Sequence, residues 1–164
     1  MYFERAVGND FQNPTLAASF GATLAQAGRH EEARRMLLRA IELQPDHVNA
    51  RTDLASLEEM RGNLDAALEH VRAALLLDSD SPDLNVWIAR LLMQQGEFSE
   101  AEQILRHSVG RVPTHALSWA YLGFVLLETD RRAEAIKCFE ISIRNDPTDD
   151  LARSGLLQAR AEDR

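Results

Sequence analysis

The apolar positions of residues 116–146 fall into two helical patterns with a break between them. Trp119, Leu122, Gly123 and Leu126 stand at i, i+3, i+4 and i+7, one face of an amphipathic helix. Thr129 and Asp130 interrupt that pattern. Ala135, Phe139, Ser142 and Ile143 resume it on a second helix, and Asp146-Pro147 predicts its end, because Pro cannot continue the hydrogen-bond ladder. The small members Gly123, Ala135 and Ser142 have a steric meaning. They let two antiparallel helices approach closely, with Trp119 and Phe139 filling the space beside them.

The pattern recurs every 34 residues. Pro45, Pro113 and Pro147 share one slot, which Ser79 fills in the remaining unit. Twelve positions earlier stand Ala33, Ala67, Ala101 and Ala135. Four positions after those alanines come Leu37, Val71, Leu105 and Phe139. Three further on are the small residues Ala40, Ala74, Ser108 and Ser142. The turn slot five before the alanine reads Gly28, Gly62, Gly96 and Asp130.

At these residues the chain resembles the tetratricopeptide repeat (TPR) family, whose motif stands here as Trp119-x-x-Leu122-Gly123-x-x-Leu126, then Ala135-x-x-x-Phe139, then Pro147. The resemblance implies an all-α, right-handed α-solenoid of helix-turn-helix repeats. The units are expected at 14–47, 48–81, 82–115 and 116–148, with a C-terminal capping helix in 149–164. That last segment sets Leu151, Ala152, Leu156 and Leu157 against Asp150, Arg153, Arg160 and Glu162, the wet outer face a solenoid end needs. Residues 1–13 are expected to be a half-repeat helix and linker, with Phe3 and Ala6 in the slots of Leu37 and Ala40. Either the array starts on a half-repeat cap, or the chain is cut from a longer array. The apolar surface of a half-repeat predicts a homodimer through it. Two departures stand out. The aromatic slot of the first helices holds Ala17, Arg51 and Asn85, and the second unit puts Glu58 in the family's Tyr slot, so that unit is expected to pack least well.

Composition narrows the function. Hydrophobic residues at 45% and charged residues at 27% exclude intrinsic disorder, and aromatics at only 6% disfavour an all-β fold. Lys plus Arg is 18 against Asp plus Glu at 26, a net charge of −8 that repels a phosphate backbone, so no nucleic-acid partner is expected. No apolar run is long enough for membrane insertion, and Met1-Tyr2-Phe3-Glu4-Arg5 does not open a secretory signal, so a cytoplasmic location is expected. The single cysteine, Cys138, allows no internal disulfide, which fits a reducing compartment. Lys137 is the one lysine among many arginines, a bias that suggests a GC-rich bacterial genome.

Nothing in the sequence assembles chemistry. His30, His47, His70, His107 and His115 include no i, i+4 pair with a Glu, so there is no zinc-helix signal. Cys138 has only Lys137 beside it and reads as an inert thiol. Glu31-Glu32 and Asp149-Asp150 sit at helix starts, where acids complement the macrodipole. No phosphate loop or nucleophile elbow occurs. The expectation is no catalytic, cofactor or metal site, and no enzyme.

The resemblance implies that the first helices line a concave, peptide-binding face. In the fourth unit Leu117, Ala120, Phe124 and Leu127 form a second apolar stripe, more than docking on one partner helix requires. The same slots of the third unit give Val86, Arg90 and Met93. The first two units offer small or polar residues such as Ala22, Gln26, Thr52 and Ser56. The expected partner-binding residues are therefore Val86, Arg90, Met93, Leu117, Ala120, Phe124 and Leu127, taking an amphipathic helix or an extended apolar peptide with an acid on Arg90. The competing expectation is that the capping helix buries part of this stripe. The carboxylate clamp of chaperone adaptors in the family is not expected. Its slots would hold Ala18, Ala22, Asp53, Asp83 and Trp87, or Thr52, Ser56, Trp87, Leu117 and Tyr121, without a cation or Asn. The resulting expectation is a non-catalytic interaction scaffold, in a bacterial assembly or secretion process. A dedicated cytosolic chaperone for a secreted substrate and an oligomerisation segment of a larger protein stay open as alternatives.

Overall fold

The computed structural model describes residues 12–161. The expected half-repeat at residues 1–7, and the homodimer contact assigned to it, lie outside them. The described residues form nine α-helices and no strand, in two compact units. The first unit, ending at Leu77, contains α1 (Pro14–Gln26), α2 (His30–Leu43), α3 (Val48–Met60) and α4 (Leu64–Leu77). The second, beginning at Asp78, contains α5 (Pro82–Gln95), α6 (Phe98–Arg111), α7 (Ala116–Glu128), α8 (Arg132–Asn145) and α9 (Asp150–Ala161).

Each first helix starts on the same device. Asn13, His47, Ser81, His115 and Asp149 are spaced one repeat apart. Each offers a side-chain acceptor to the N–H three residues on, at 3.1, 3.2, 3.5, 3.3 and 3.0 Å. This satisfies one of the donors that every helix N-terminus leaves open. Asp149 is buried, and its second oxygen lies 2.7 Å from Ser142 Oγ, so the acid reads as a buried cap rather than solvating charge. The turn between first and second helix is left-handed at Gly28, Gly62 and Gly96, and Asp130 adopts the same conformation with φ 58°.

Packing follows from one slot. Gly21, Ala55, Ala89 and Gly123 stand on the first helices, all buried, opposite the slot of Leu37, Val71, Leu105 and Phe139. A Cβ built at Gly21 would stand 2.8 Å from Leu37 Cγ, and one at Gly123 2.6 Å from Phe139 Cε1. The alanines 33, 67, 101 and 135 are fully buried on the second helices. Within each unit the second helix also packs on the next first helix, α2 on α3 and α6 on α7, and the first helices lie side by side, α1 with α3 and α5 with α7. Helix α9 closes the second unit by packing on α8 and α7. Gly155 makes that possible, since a Cβ there would stand 2.5 Å from Phe139.

The aromatic slot behaves differently from expectation. Trp119 Nε1 donates to Pro113 O at 2.7 Å. Arg51 makes the same bond to Pro45 O at 2.7 Å, and Arg153 donates to Pro147 O. Where Ser79 replaces the proline, Asn85 turns back to Ser81 O at 3.0 Å instead. At Arg51, Trp119 and Arg153 the residue type varies while the hydrogen bond to the preceding loop carbonyl remains.

Two glycine classes give opposite outcomes on substitution. Gly155→Ala is expected to lower unfolding stability by about 1–3 kcal/mol through overpacking against Phe139. Gly110→Ala, whose Cβ would meet nothing within 4 Å, is expected to raise it by up to about 1 kcal/mol through helix propensity. Urea denaturation of the two variants checks this, and equal signs would show the close approach to be unimportant.

Candidate functional site

The seven residues expected to bind a partner all lie on α5 and α7 of the second unit, two helices that pack side by side. The structure sorts them by access. Ala120 is fully buried and Val86 nearly so, which leaves neither with surface to offer. Phe124 is half-buried with its ring edge-on to Phe139 at 5.0 Å, and a Cβ on Gly155 of α9 would lie 3.0 Å from it. It belongs in part to the packing of α7, α8 and α9, so the capping helix does cover that end of the stripe. Arg90, Met93 and Leu127 are half-buried, and Leu117 is 41% exposed.

The first unit has a cleft on its own first helices. A cavity of about 290 Å³ between α1 and α3 is lined by Ala22, Ala25 and Gln26 on one side and Asp53, Ser56 and Met60 on the other. Burial raises the Asp53 carboxyl above its ordinary range, and the nearby His47 offsets this only in part. By its sequence this half is small and polar, and Asp53 enters there only as a slot of the clamp that is not expected. The signal available was the run of Ala22 and Ala25 facing it, which leaves room where larger side chains would close the gap.

Two arrangements resemble chemistry and resolve into structure. Ser118 Oγ lies 2.8 Å from His115 Nδ1, whose Nε2 lies 3.2 Å from Asp83 Oδ1, a Ser-His-Asp chain in outline. Yet Ser118 is fully buried, its hydroxyl also lies 2.8 Å from Ser108 Oγ, and His115 is occupied capping α7. A nucleophile needs access to substrate and oxyanion donors around it, and Ser118 has no such access. Among the described residues no cluster of His, Cys, Asp and Glu could hold a metal ion, and no helix is long and apolar enough to cross a membrane.

The second arrangement is Glu58. Its side chain is buried, which alone would push its pKa up. Hydrogen bonds from Asn63 Nδ2 and Arg34 Nε, each at 2.7 Å, and the charges of Arg34 and Arg61 outweigh that and hold the carboxyl below its usual range. The carboxylate is thus ionised and fully engaged. The second repeat carries it without opening its core, since Leu54, Ala55 and Leu57 around it are fully buried.

Against this geometry the relatives can be placed. Two tetratricopeptide repeat profiles match the chain, over residues 18–83 and 58–120. The chain belongs to the tetratricopeptide repeat family. It is 26% identical over 130 residues to a TPR repeat-containing protein of Dictyostelium discoideum, a match covering 75% of this chain and 49% of that protein. It is 34% identical over 83 residues to a protein of Pseudomonas putida named as a probable biofilm formation methyltransferase, covering 51% of this chain but 20% of that one. The chain therefore spans half or less of the length of these curated relatives. Among solved structures it superposes on MamA with TM-score 0.78 at 19% identity, covering 89% of this chain and 80% of MamA. PilF of Pseudomonas aeruginosa gives 0.77 at 24%, covering 92% and 68%. YrrB, described as a TPR protein with an unusual peptide-binding site, gives 0.75 at 17%, covering 99% and 84%. At these identities the likeness establishes the all-α repeat fold.

The buried Glu58 carboxylate makes stability depend on pH. A carboxyl depressed on folding stabilises the native state above its unfolded pKa, about 4.3, and that contribution is lost as pH falls through the lower folded value. Glu58→Leu, the residue at this slot in the other three repeats, is expected to lose less stability than wild type between pH 5 and pH 3. Arg34→Met, which leaves the buried acid short of a partner, is expected to cost about 1–3 kcal/mol at pH 7. Urea titrations at both pH values check this, and parallel pH profiles for wild type and Glu58→Leu would show that the acid carries no linkage.

Proposed function

We propose that the chain is a non-catalytic scaffold that binds a segment of another protein along the first helices of its second unit. The observation that carries this reading is the exposure of Leu117 at the start of α7, with Leu127 near the end of the same helix and Met93 in the matching slot of α5 half-open. Apolar side chains left open along a helix mark partner sites, and Met adapts its shape to the ligand. Arg90 on the same face favours a segment with an acidic residue next to its apolar anchors. Ala120 and Val86 form the floor, and Phe124 braces one end. The occupant is a short amphipathic helix or an extended apolar stretch, since α5 and α7 run side by side and leave an elongated surface. The peptide-binding site described for YrrB, which shares the fold, is consistent with this class of ligand. The engagement of Glu58 by Arg34 and Asn63 and the burial of Ser118 give these two groups structural roles, in keeping with a non-catalytic reading.

Met93→Glu combined with Leu117→Glu tests the assignment, because both side chains reach solvent and their replacement leaves the core intact. Phe124 is unsuitable, since its ring supports Phe139 and α9. The double variant is expected to stay folded by circular dichroism and to lose, by about ten-fold or more, affinity for a protein that the wild type captures, given about 1.5–3 kcal/mol per buried apolar anchor. Unchanged capture would move the binding face elsewhere.

A further inference from the structure

We propose a second binding site on a different face of α7: the cleft between α6 and α8 takes a bulky apolar side chain of a partner polypeptide that carries a carboxylate beside it. The cleft has a volume of about 410 Å³, room for an indole or two smaller apolar groups. Leu122 and Leu126 of α7 lie beneath it, closed over by their neighbours, and Val109 and the partly open Ile141 stand on its walls. Trp119 completes one side, its ring fixed by the 2.7 Å bond to Pro113 O. The Cys138 thiol also lines it, and burial pushes that thiol up to about 11, so it stays uncharged and serves as apolar wall.

Leu122 and Leu126 are buried core positions that the repeat itself demands. The partly open apolar lining is what differs between repeats: Trp119 stands where the others hold Ala17, Arg51 and Asn85, and Ile141 where they hold Arg39, Ala73 and His107. The repeat therefore does not require an apolar residue at either position. Gly110, which borders the cleft within a helix, points the same way. A Cβ there would meet nothing within 4 Å, so no packing contact demands a glycine, and its effect is to keep the wall open.

The rim selects the charge of the occupant. Arg106 and Arg131 are tied to Glu102 and Glu134 by contacts of 2.7, 3.3, 2.6 and 2.7 Å, so two cations and two anions cancel. Lys137, the chain's only lysine, stands exposed at the mouth with no acid among these contacts. It leaves a net positive rim on a chain of net charge −8, which favours a carboxylate. Exposed Gly110, Glu134 and Lys137 leave the cleft open along its length, as suits a polypeptide backbone passing over it with one side chain inserted.

The test uses the full chain, labelled with ¹⁵N, and two probes, acetyl-Glu-Leu-Trp-Glu-amide and its charge-reversed analogue acetyl-Lys-Leu-Trp-Lys-amide. The acidic peptide is expected to shift the amides of Gly110, Lys137, Cys138 and Ile141 at millimolar concentration, and the basic one to bind more weakly. Lys137→Glu should reverse that preference. Gly110→Leu fills the cleft without crowding the fold, as Leu76 occupies the equivalent helix position one repeat earlier, and should weaken binding about ten-fold. No shifts at millimolar peptide, or equal response to both peptides, would overturn the proposal. Shifts centred on Met93 and Leu117 and indifferent to Gly110→Leu would also overturn it while leaving the first-helix reading in place. Shifts that grow with protein concentration alone would assign the cleft to a second copy of the chain.

Discussion

The approach of each second helix to its first, through a slot that admits only Gly or Ala, sets where every other side chain of the repeat can go. At Gly21 and Gly123 the facing Leu37 and Phe139 already occupy the space that a methyl group would need. Interiors packed at crystal-like density leave no slack for such a group. With that distance fixed, the alanines at 33, 67, 101 and 135 fall against the neighbouring helix, and the larger residues four positions on fill the gap it leaves. Phe139 shows the limit of this economy. It presses on Gly123 and Gly155 at once and carries Phe124 on its edge, so three helices depend on one ring.

Burying helices this closely obliges the chain to settle its polar termini locally. The cap slot of Asn13, His47, Ser81, His115 and Asp149 does this with five acceptors drawn from four residue types. The loop carbonyl before α3, α7 and α9 is treated likewise, by Arg51, Trp119 and Arg153. What repeats is the hydrogen bond, and the residue type is free to change around it. Glu58 extends the rule to a full charge. An ionised carboxylate in a hydrophobic slot would cost several kcal/mol alone, and here Arg34 and Asn63 supply the donors that make it tolerable.

Much of the fold was legible because sterics are written in residue size. The 34-residue recurrence of Ala, Leu or Phe, and Gly located both helices of every described repeat and the turn between them. The cap slot escaped notice because Asn, His, Ser and Asp look unrelated as letters and are alike only as acceptors at one geometry. Arg51 and Asn85 read as departures for the same reason. The candidate site was less legible. Helical spacing placed Val86, Ala120 and Phe124 on the right helices and could not tell that the first two are closed over and the third is braced by α9. Exposure depends on neighbours several repeats or helices away, and periodicity carries no information about them. The α1–α3 cleft at Asp53 was missed because an opening is made by what is small, and a pattern search weights what is large.

A repeat of this kind separates positions that hold the fold from positions that the fold leaves undetermined. The buried slots admit narrow changes, such as Leu for Phe or Ala for Gly. The faces between helices admit wide ones, since the slot of Glu58 in one unit holds Leu126 in the other with both side chains buried. Leu is the rule at that slot, and Glu58 is tolerated there because Arg34 and Asn63 supply its donors. Positions at the edge of the core vary more widely, with Arg51, Asn85 and Trp119 sharing one slot. Along α7 the open or partly open apolar residues include Leu117, Leu127 and Trp119, the last of which lines the α6–α8 cleft. Apolar surface kept where polar residues would fold as well weakens solubility and gains nothing within the chain. On the two proposals made above, the apolar surface of α7 is kept for partners outside the chain.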